Sequence, residues 1–345
     1  MKAAAITGPG TIVIRDQEAP QARGGRDLVV VKILVSPLCT EFKSRRAGHL
    51  SDELGHEAAG VVVDAASSQL VSEGDRVVVM PQFACGRCWL CLRGEHIHCP
   101  NQRDPLAESG SSHGRGTIAQ YVIKPDWLLI KVPDDISLEH ASMACCGFGP
   151  TFTAHQRLGT SALDSAAVSG CGPVGLGAVI QGVTRGAEVI ALETQSYRSA
   201  LAAKLGASHV FDPRESGVPE QIASLTQGRG ASVGIETSGA PTAARLLADA
   251  IRTRGRMAIV AWTPEVVLPA IVPAGLEVHG CWHWNHQHFL QDMWTMIRKS
   301  GPAIDLMITH RMSLDDVARA MDLQDRGECG KIVLYPFGSE AVDAA

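Results

Sequence analysis

Four cysteines with the spacing C-x2-C-x2-C-x7-C lie within one short segment of the chain. They are Cys85, Cys88, Cys91 and Cys99. Four thiolates around one ion are the ligand set of a closed structural zinc site. Disulfides, or reduced cysteines packed as small apolar side chains, are the alternatives. Because the segment is polar and loop-like and carries a turn-forming glycine, Gly86, the spacing predicts a structural zinc ion.

A glycine-rich turn in the middle of the chain has the pattern G-x-G-x-x-G. It follows a short apolar strand and opens an apolar helix, which is the context in which this pattern binds a dinucleotide. The first glycine permits a tight turn, the second lets the backbone approach a pyrophosphate, and the third lets the helix pack against the sheet. The free N–H groups of the helix N-terminus then face the phosphates. The predicted phosphate-binding residues are Gly170, Gly172, Pro173, Val174 and Gly175.

An acidic residue, Glu193, ends the next predicted strand, 18 residues after Gly175. A carboxylate at this position accepts hydrogen bonds from the adenosine ribose diol and repels a 2′-phosphate. The position of Glu193 therefore predicts NAD rather than NADP as the cofactor. Arg198 follows five residues later and is either a second contact at the adenosine end or a solvated helix charge.

A second group of metal-binding side chains is spread over three places in the sequence. Cys39 and His56 each lie at the end of a predicted strand, and the pair Cys145 and Cys146 precedes the cofactor-binding part. Cysteine and histidine from different strand ends are suitable ligands for a metal ion held over a cleft. Taken one at a time, each of these residues is explained equally well as a metal ligand or as a structural side chain.

In this order, the motifs resemble those of the zinc-dependent alcohol dehydrogenases of the medium-chain dehydrogenase/reductase superfamily, whose polyol branch includes sorbitol and threonine dehydrogenases. The resemblance covers essentially the whole chain. Besides the four cysteines and the glycine-rich turn, the matching motifs are Gly55-His56-Glu57 with Gly60, and the segments 116–121 (GTIAQY), 308–311 (ITHR) and 330–334 (GKIVL).

The resemblance implies that Cys39, His56 and Cys146 bind a catalytic zinc ion. Cys146 is preferred to Cys145 because its distance from the following helix matches the usual spacing of the family. The four-cysteine segment then holds the second of two zinc ions per chain.

Three more residues acquire roles from the resemblance. Thr40 matches the hydroxyl that relays the substrate proton, and Glu57 matches a glutamate that approaches the zinc during ligand exchange. Lys331 matches a basic position near the cofactor pyrophosphate. Thr40 and Glu57 are therefore the predicted catalytic residues, and Lys331 is a predicted cofactor contact.

The chain departs from the family pattern in two places. The family motif C-x-[S/T]-D appears here as Cys39-Thr40-Glu41, which is one residue shorter, and no histidine clearly continues the proton relay. The polyol branch commonly has Glu-Pro where this chain has Cys146-Gly147. The second departure favours the ligand set of the alcohol dehydrogenases and leaves the substrate class open.

The elements that position these residues fall into two kinds. Residues 1–145 are rich in short β-like runs broken by Gly, Pro and Asp, whereas strands and helices alternate from about residue 151. We expect an α/β fold with a GroES-like β-rich catalytic domain at 1–150, a doubly wound Rossmann domain at 151–285, and a return to the catalytic domain at 286–345. Within the second domain, the pattern predicts a helix over 242–252 and a final strand over 276–282.

Composition excludes several classes of function. The net charge of −5 and the pI of about 6.2 provide no basic surface for nucleic acid. No apolar run is long enough to span a membrane, and the N-terminal sequence lacks the apolar core of a signal peptide. Ten cysteines without such a signal indicate a reducing compartment, so we expect a cytoplasmic protein.

The leading interpretation is a zinc- and NAD-dependent dehydrogenase that oxidises a secondary alcohol, polyol, sugar or cyclitol hydroxyl, or catalyses the reverse reaction. The alternatives are a zinc-independent reductase of activated double bonds and a non-enzymatic zinc-knuckle nucleotide-binding protein. We expect a homodimer or homotetramer, because the apolar strand at 276–282 ends the cofactor sheet. The Trp- and His-rich segment 282–289 fits a substrate rim or subunit interface better than a further metal site.

Overall fold

The computed structural model describes residues 1–23, 27–263, 265–269 and 271–344 of the chain. These residues form a β-rich part, built from both ends of the sequence, and a doubly wound α/β part between them. The predicted combination of a β-rich domain with a parallel, doubly wound sheet is thereby confirmed.

The β-rich part starts with a two-stranded antiparallel sheet and continues into a larger sheet. Its first strands are β1 (Lys2–Gly8), β2 (Thr11–Asp16), β3 (Leu28–Pro37), β4 (Ala58–Asp64), β5 (Arg76–Val79), β6 (Tyr121–Pro125) and β7 (Leu129–Lys131). Its helices are α1 (Glu41–Ala47), α2 (Pro105–Ser109) and α3 (Leu138–Ser142). Strand β3 is almost continuously apolar because β4 and β6 flank it and nine of its ten residues are buried.

The α/β part contains one six-stranded parallel sheet. Its strands are β8 (Ser165–Ser169), β9 (Glu188–Leu192), β10 (His209–Phe211), β11 (Ala231–Glu236), β12 (Ile251–Ile259) and β13 (Glu277–Gly280). The helices are α4 (Gly149–Leu158), α5 (Pro173–Thr184), α6 (Ser196–Lys204), α7 (Val218–Leu225) and α8 (Ala243–Ala250). The strands lie in the order β10-β9-β8-β11-β12-β13, so the chain adds strands to one side of β8 as far as β10 and then to its other side from β11 onwards. Such a reversal opens a ligand-binding crevice at the carboxyl ends of the strands.

Two boundaries in this part differ from the sequence-based expectation. The helix expected over 242–252 ends at Ala250, and β12 begins directly at Ile251, because Ile251 pairs with Ala231 of β11. The strand expected over 276–282 is shorter, because its pairing with β12 ends where Gly280 meets Ile259. In both cases, pairing with a distant strand sets the boundary.

The last part of the chain adds its two strands to the larger sheet of the β-rich part. Its elements are α9 (Leu290–Lys299), α10 (Gly301–Met307), β14 (Ile308–Ser313), α11 (Val317–Arg326), β15 (Lys331–Tyr335) and α12 (Glu340–Asp343). The larger sheet has the order β14-β15-β3-β4-β5-β7, and β6 also pairs with β3. Strand β15 runs antiparallel to the end of β3, so the start of β15 lies beside the segment that follows β3. The boundaries at 150 and 285 stay predictions.

Candidate active site

The fold brings four distant side chains together as a group that can hold a metal ion: Cys39, His56, Glu57 and Cys146. Their ligand atoms all lie within 4.8 Å of one another. Cys39 follows β3, His56 and Glu57 precede β4, which pairs with β3, and Cys146 lies shortly before α4. The three ligands expected from the resemblance are therefore assembled at one place.

Cys145 faces away from this group. Its Sγ atom donates to the carbonyl oxygen of Val79 at 3.3 Å, and the residue is fully buried. Burial raises the pKa of this thiol, so it stays protonated. Of the two adjacent cysteines, the structure places Cys146 beside Cys39 and His56.

The thiols of Cys39 and Cys146 lie close together and shift each other's pKa. The hydrogen bond from Cys146 lowers the pKa of Cys39 well below the usual value for a thiol, and the same contact raises the pKa of Cys146. Two buried thiolates in contact repel each other unless a cation lies between them. Two sulfur atoms and one imidazole, with a carboxylate nearby, form a donor set that suits catalytic zinc. The residues present therefore fit the metal that the resemblance implies.

Glu41 contacts two residues of the metal-binding group. One carboxylate oxygen, Oε1, lies 2.8 Å from His56 Nδ1, and the other, Oε2, accepts a hydrogen bond from the backbone N–H of Cys39 at 2.8 Å. A carboxylate on the second nitrogen of a histidine ligand fixes the tautomer and the orientation of the ring. This contact leaves Nε2 of His56 to face the metal. The sequence alone did not indicate this role, although Glu41 stands where the family motif has a shorter acid.

Glu57 and Lys331 form an ion pair in which both side chains are fully buried. The ammonium group of Lys331 donates to Glu57 Oε1 at 2.7 Å, and the backbone N–H of Cys146 donates to Glu57 Oε2 at 3.2 Å. Burial raises the pKa of Glu57 to about 7, although Lys331 acts against this shift. Burial alone would lower the pKa of Lys331, but the Glu57 carboxylate outweighs it and raises that pKa.

This contact corrects the expected place of Lys331. We predicted that its side chain lies near the cofactor pyrophosphate, but the side chain points into the protein interior and does not line the cofactor cleft. The pairing of β15 with β3 brings Lys331 to the metal-binding group. The structure thus associates this lysine with Glu57 rather than with the phosphates.

The four clustered cysteines form the second group that can hold a metal ion, and no carboxylate or histidine belongs to it. The Sγ–Sγ distances are 3.9 Å for Cys85–Cys91, 3.5 Å for Cys88–Cys91 and 3.8 Å for Cys88–Cys99. Tetrahedral zinc with Zn–S bonds of about 2.3 Å requires sulfur atoms about 3.8 Å apart. The cluster therefore fits a closed structural zinc site. It does not fit disulfides, because all four cysteines are free.

A cleft of about 450 Å³ runs along the carboxyl edge of the parallel sheet towards the metal-binding group. The predicted cofactor residues that line it are Gly170, Gly172, Pro173, Val174, Glu193 and Arg198. Cys39 and Thr40 line the same cleft, so it reaches the metal-binding group. The lining and its position at the strand-order reversal match a dinucleotide site.

The glycines of the turn have the expected steric roles. Gly170 has a φ of +84°, which other residues rarely adopt. A Cβ atom on Gly175 would lie 1.8 Å from the carbonyl oxygen of Gly170, so only glycine permits this close packing of helix and strand. A Cβ atom on Gly172 would meet nothing within 4 Å, which leaves open space beside the turn.

The carboxylate of Glu193 is already anchored to backbone groups at the cleft. Its Oε2 atom accepts from the N–H of Cys171 at 2.6 Å, and its Oε1 atom accepts from the N–H groups of Thr194 and Gln195 at 2.7 and 2.8 Å. Glu193 therefore joins the end of β9 to the glycine-rich turn. Its negative charge is fixed at the predicted adenosine end of the cleft.

Two arginines border the same end. Arg198 donates to the carbonyl oxygens of Cys329 and Gln324 at 3.2 and 3.3 Å, which ties α6 to the last part of the chain. Arg214 lines the cleft and pairs with Asp212. Arg214 was not predicted from the sequence, although its place just after β10 indicates the same sheet edge.

The Trp- and His-rich segment packs on the loop that carries Cys146. The indole N–H of Trp284 donates to the carbonyl oxygen of Ala144 at 2.6 Å, and Trp284 is buried, whereas Trp282 is exposed. His283 is buried against Gly149, and burial lowers its pKa to about 3. In the part of the chain that the structure describes, the histidines of this segment do not assemble into a metal-binding group. The rim or interface role stays a prediction.

Comparison with known families gives two matches. Residues 25–134 match the alcohol dehydrogenase GroES-like domain, and residues 173–299 match the zinc-binding dehydrogenase family. The first range covers β3 to β7 of the β-rich part, and the second covers α5 to α9 with strands β9 to β13 of the parallel sheet. Among the described residues, no helix is both long enough and apolar enough to span a membrane.

Curated relatives cover nearly the whole chain. The L-threonine 3-dehydrogenase of Caldanaerobacter subterraneus subsp. tengcongensis is 31% identical, over 90% of this chain and 92% of that protein. An uncharacterized zinc-type alcohol dehydrogenase-like protein of Escherichia coli K12 is 31% identical, over 97% and 98%. The sorbitol dehydrogenase of Bacillus subtilis strain 168 is 29% identical, over 97% of both chains.

Solved structures have the same architecture. An alcohol dehydrogenase from Thermus sp. ATN1 superposes with a TM-score of 0.85 at 22% identity, over 97% of this chain and 99% of that chain. The galactitol-1-phosphate dehydrogenase of Escherichia coli superposes with a TM-score of 0.83 at 25% identity, over 97% and 100%. From this agreement in sequence, fold and metal-binding groups, the chain belongs to the zinc-dependent alcohol dehydrogenases of the medium-chain dehydrogenase/reductase superfamily, a family of oxidoreductases.

Proposed function

We propose that the chain oxidises the hydroxyl group of a secondary alcohol, polyol, sugar or cyclitol to a carbonyl with NAD, or catalyses the reverse reduction. The observation that supports this proposal is the junction at Cys39 and Thr40, where the cofactor cleft meets the metal-binding group. A zinc ion held by Cys39, His56 and Cys146 would supply Lewis-acid polarisation of the substrate oxygen. NAD in the cleft would supply the hydride acceptor.

The residues around this junction have distinct tasks. The hydroxyl of Thr40 takes the proton of the substrate hydroxyl and passes it to water, since Thr40 is solvent-exposed and borders the cleft. Glu41 holds the ring of His56 in one orientation. Lys331 opposes protonation of the buried Glu57 carboxyl, which lies beside the two thiols.

The choice of cofactor rests on Glu193. Its fixed carboxylate would accept the ribose hydroxyls of NAD and repel the 2′-phosphate of NADP. We expect kcat/KM to be at least about tenfold higher with NAD, which is the effect of roughly 1.4 kcal/mol. Steady-state rates with each cofactor at one alcohol concentration check this. Equal efficiency with NADP would contradict the role of Glu193.

A panel of alcohols tests the reaction itself. The relatives are named for sorbitol and L-threonine, and the solved structures include galactitol-1-phosphate and 2R,3R-butanediol dehydrogenases, so the panel contains these four compounds. NADH formation is followed by absorbance, with a His56→Ala variant as the control that should fold and not turn over. If no alcohol reduces NAD, or if an activated double bond is reduced without metal, the proposal fails.

The proposed assembly is a homodimer or a homotetramer. Strand β13 lies last in the sheet order, and its outer edge has no neighbouring strand among the described residues. An unpaired edge invites pairing with a second copy. Light scattering at micromolar concentration should give twice or four times the mass of the chain, and a monomer would contradict this. We place the protein in the cytoplasm because metal-binding thiols need reducing conditions, and cell fractionation checks this placement.

A further inference from the structure

A second cavity adjoins the cofactor cleft at Thr40. It has a volume of about 310 Å³, and both Thr40 and His56 line it. This volume is at the lower end of the range of small-molecule sites, about 300–1,000 Å³. If the proposed function holds, the reacting carbon lies at the junction of the two cavities. The rest of the substrate then has to occupy the second cavity, because the cofactor fills the first.

Two carboxylates and two histidines, His49 and His56, are among the residues that line this second cavity. Glu41 and Glu53 line it, and no lysine or arginine does. Glu41 is held by His56 and Cys39, and Glu53 accepts hydrogen bonds from the backbone N–H groups of residues 114–116. Both carboxylates are therefore fixed in place. A carboxylate or phosphate group of a substrate would find no cationic partner here and would face two acids.

Other basic residues near the cavity lie outside its lining, and Lys43 lines the cofactor cleft instead. His113 Nδ1 lies 3.5 Å from Glu53 Oε1, and His113 does not line the cavity. The guanidinium group of Arg115 lies over the ring of Phe83. Neither group is placed to receive an anion from the cavity.

The remaining polar side chains of the cavity suit hydroxyl groups. Ser44, His49 and Ser51 line it. The side chains of Ser44 and His49 have no hydrogen-bond partner within the described residues, and Ser51 Oγ accepts only the N–H of Glu53, at 3.2 Å, so its own O–H is free to donate. Hydroxyl groups and imidazole nitrogens supply hydrogen-bond donors and acceptors, which is what an uncharged hydroxyl group requires.

We infer that the substrate is an uncharged alcohol with at least one further hydroxyl group, held by Ser44, His49 and Ser51, and that substrates bearing a carboxylate or a phosphate are excluded. The inference rests on the proposed function, since it assigns the substrate class of the same site. It distinguishes between the substrates for which the relatives are named: sorbitol and butanediol carry no charge, whereas galactitol 1-phosphate carries a phosphate and L-threonine carries a carboxylate beside its ammonium group.

The first test compares kcat/KM for four substrates at saturating NAD: 2,3-butanediol, 2-butanol, L-threonine and galactitol 1-phosphate. We expect kcat/KM for butanediol to exceed that for each of the other three substrates by about tenfold or more. A factor of this size corresponds to the loss of one hydrogen bond or to one unpaired charge. If kcat/KM for 2-butanol equals that for the diol, or if kcat/KM for a substrate with a carboxylate or phosphate equals or exceeds it, the inference is wrong while the proposed function stands. If none of the four reduces NAD, the proposed function itself fails.

The second test adds a cation to the cavity. His49 is exposed, so His49→Arg should fold normally, and the new guanidinium should raise kcat/KM for galactitol 1-phosphate about tenfold. Ser72→Arg, at an exposed serine outside both cavities, is the matched control and should change nothing. If His49→Arg folds and leaves the phosphate substrate no better than in the control, the substrate does not extend into this cavity and the inference falls.

Discussion

Replacing Glu41 with glutamine should weaken zinc binding at the catalytic site about 10–100-fold. In the structure, the two carboxylate oxygens lie 2.8 Å from His56 Nδ1 and 2.8 Å from the backbone nitrogen of Cys39. Burial raises the pKa of Glu41, but His56 outweighs it and lowers the pKa to about 2, so the group is a charged acceptor. Loss of such a carboxylate typically costs 10–100-fold in metal affinity, or about 1.4–2.8 kcal/mol.

Competition with a chromogenic chelator measures this loss, and the zinc in the four-cysteine cluster is the internal reference because Glu41 does not contact it. Asp52→Asn is the matched control: this acid lies in the segment between α1 and β4, is half exposed and does not contact His56. We expect Glu41→Gln to release the catalytic zinc ion at a lower chelator concentration than the native protein does. The zinc ion of the four-cysteine cluster should be released at an unchanged concentration. Wild-type affinity at both sites in Glu41→Gln would refute the role assigned to Glu41.

Two further predictions concern the cysteines. Cys146→Ser should lose the catalytic zinc and nearly all activity. Cys145→Ser should keep both and lower the stability of the fold by about 1 kcal/mol, because Cys145 is buried and its thiol donates to a backbone carbonyl. Zinc content and kcat of the two variants test this, and the reverse pattern would show that Cys145 is the ligand. Cys88→Ser should lower the unfolding temperature and release the structural zinc, since it removes one of four ligands. Turnover below that temperature should persist, and an unchanged unfolding temperature would show that the cluster holds no stabilising ion.

Local patterns in the sequence predicted much of this fold and site. The glycine-rich turn, the four cysteines and the strand at Lys331–Tyr335 were located correctly, because each signal lies within a few consecutive residues. The assembly of Cys39, His56 and Cys146 followed only from the family resemblance. No rule of spacing joins three ligands that are spread over more than one hundred residues of the chain.

The partners of individual charged residues were not predictable. Lys331 was expected at the cofactor, but the pairing of β15 with β3 directs its side chain to Glu57. Glu41 was noted only as a departure from a motif, although its longer side chain reaches His56 from a position one residue closer to Cys39. Both contacts depend on how strands distant in sequence align, and a single sequence does not encode this alignment locally.

The most direct test of zinc- and NAD-dependent catalysis is reversible removal of the catalytic zinc. The native protein should contain two zinc ions per chain, and mild chelation should remove the one bound by Cys39, His56 and Cys146 before the one in the closed cluster. NADH formation from an alcohol should then stop while the far-UV circular dichroism is unchanged, and one equivalent of zinc should restore it. Full alcohol oxidation by protein that retains only the clustered zinc ion would contradict the proposed chemistry.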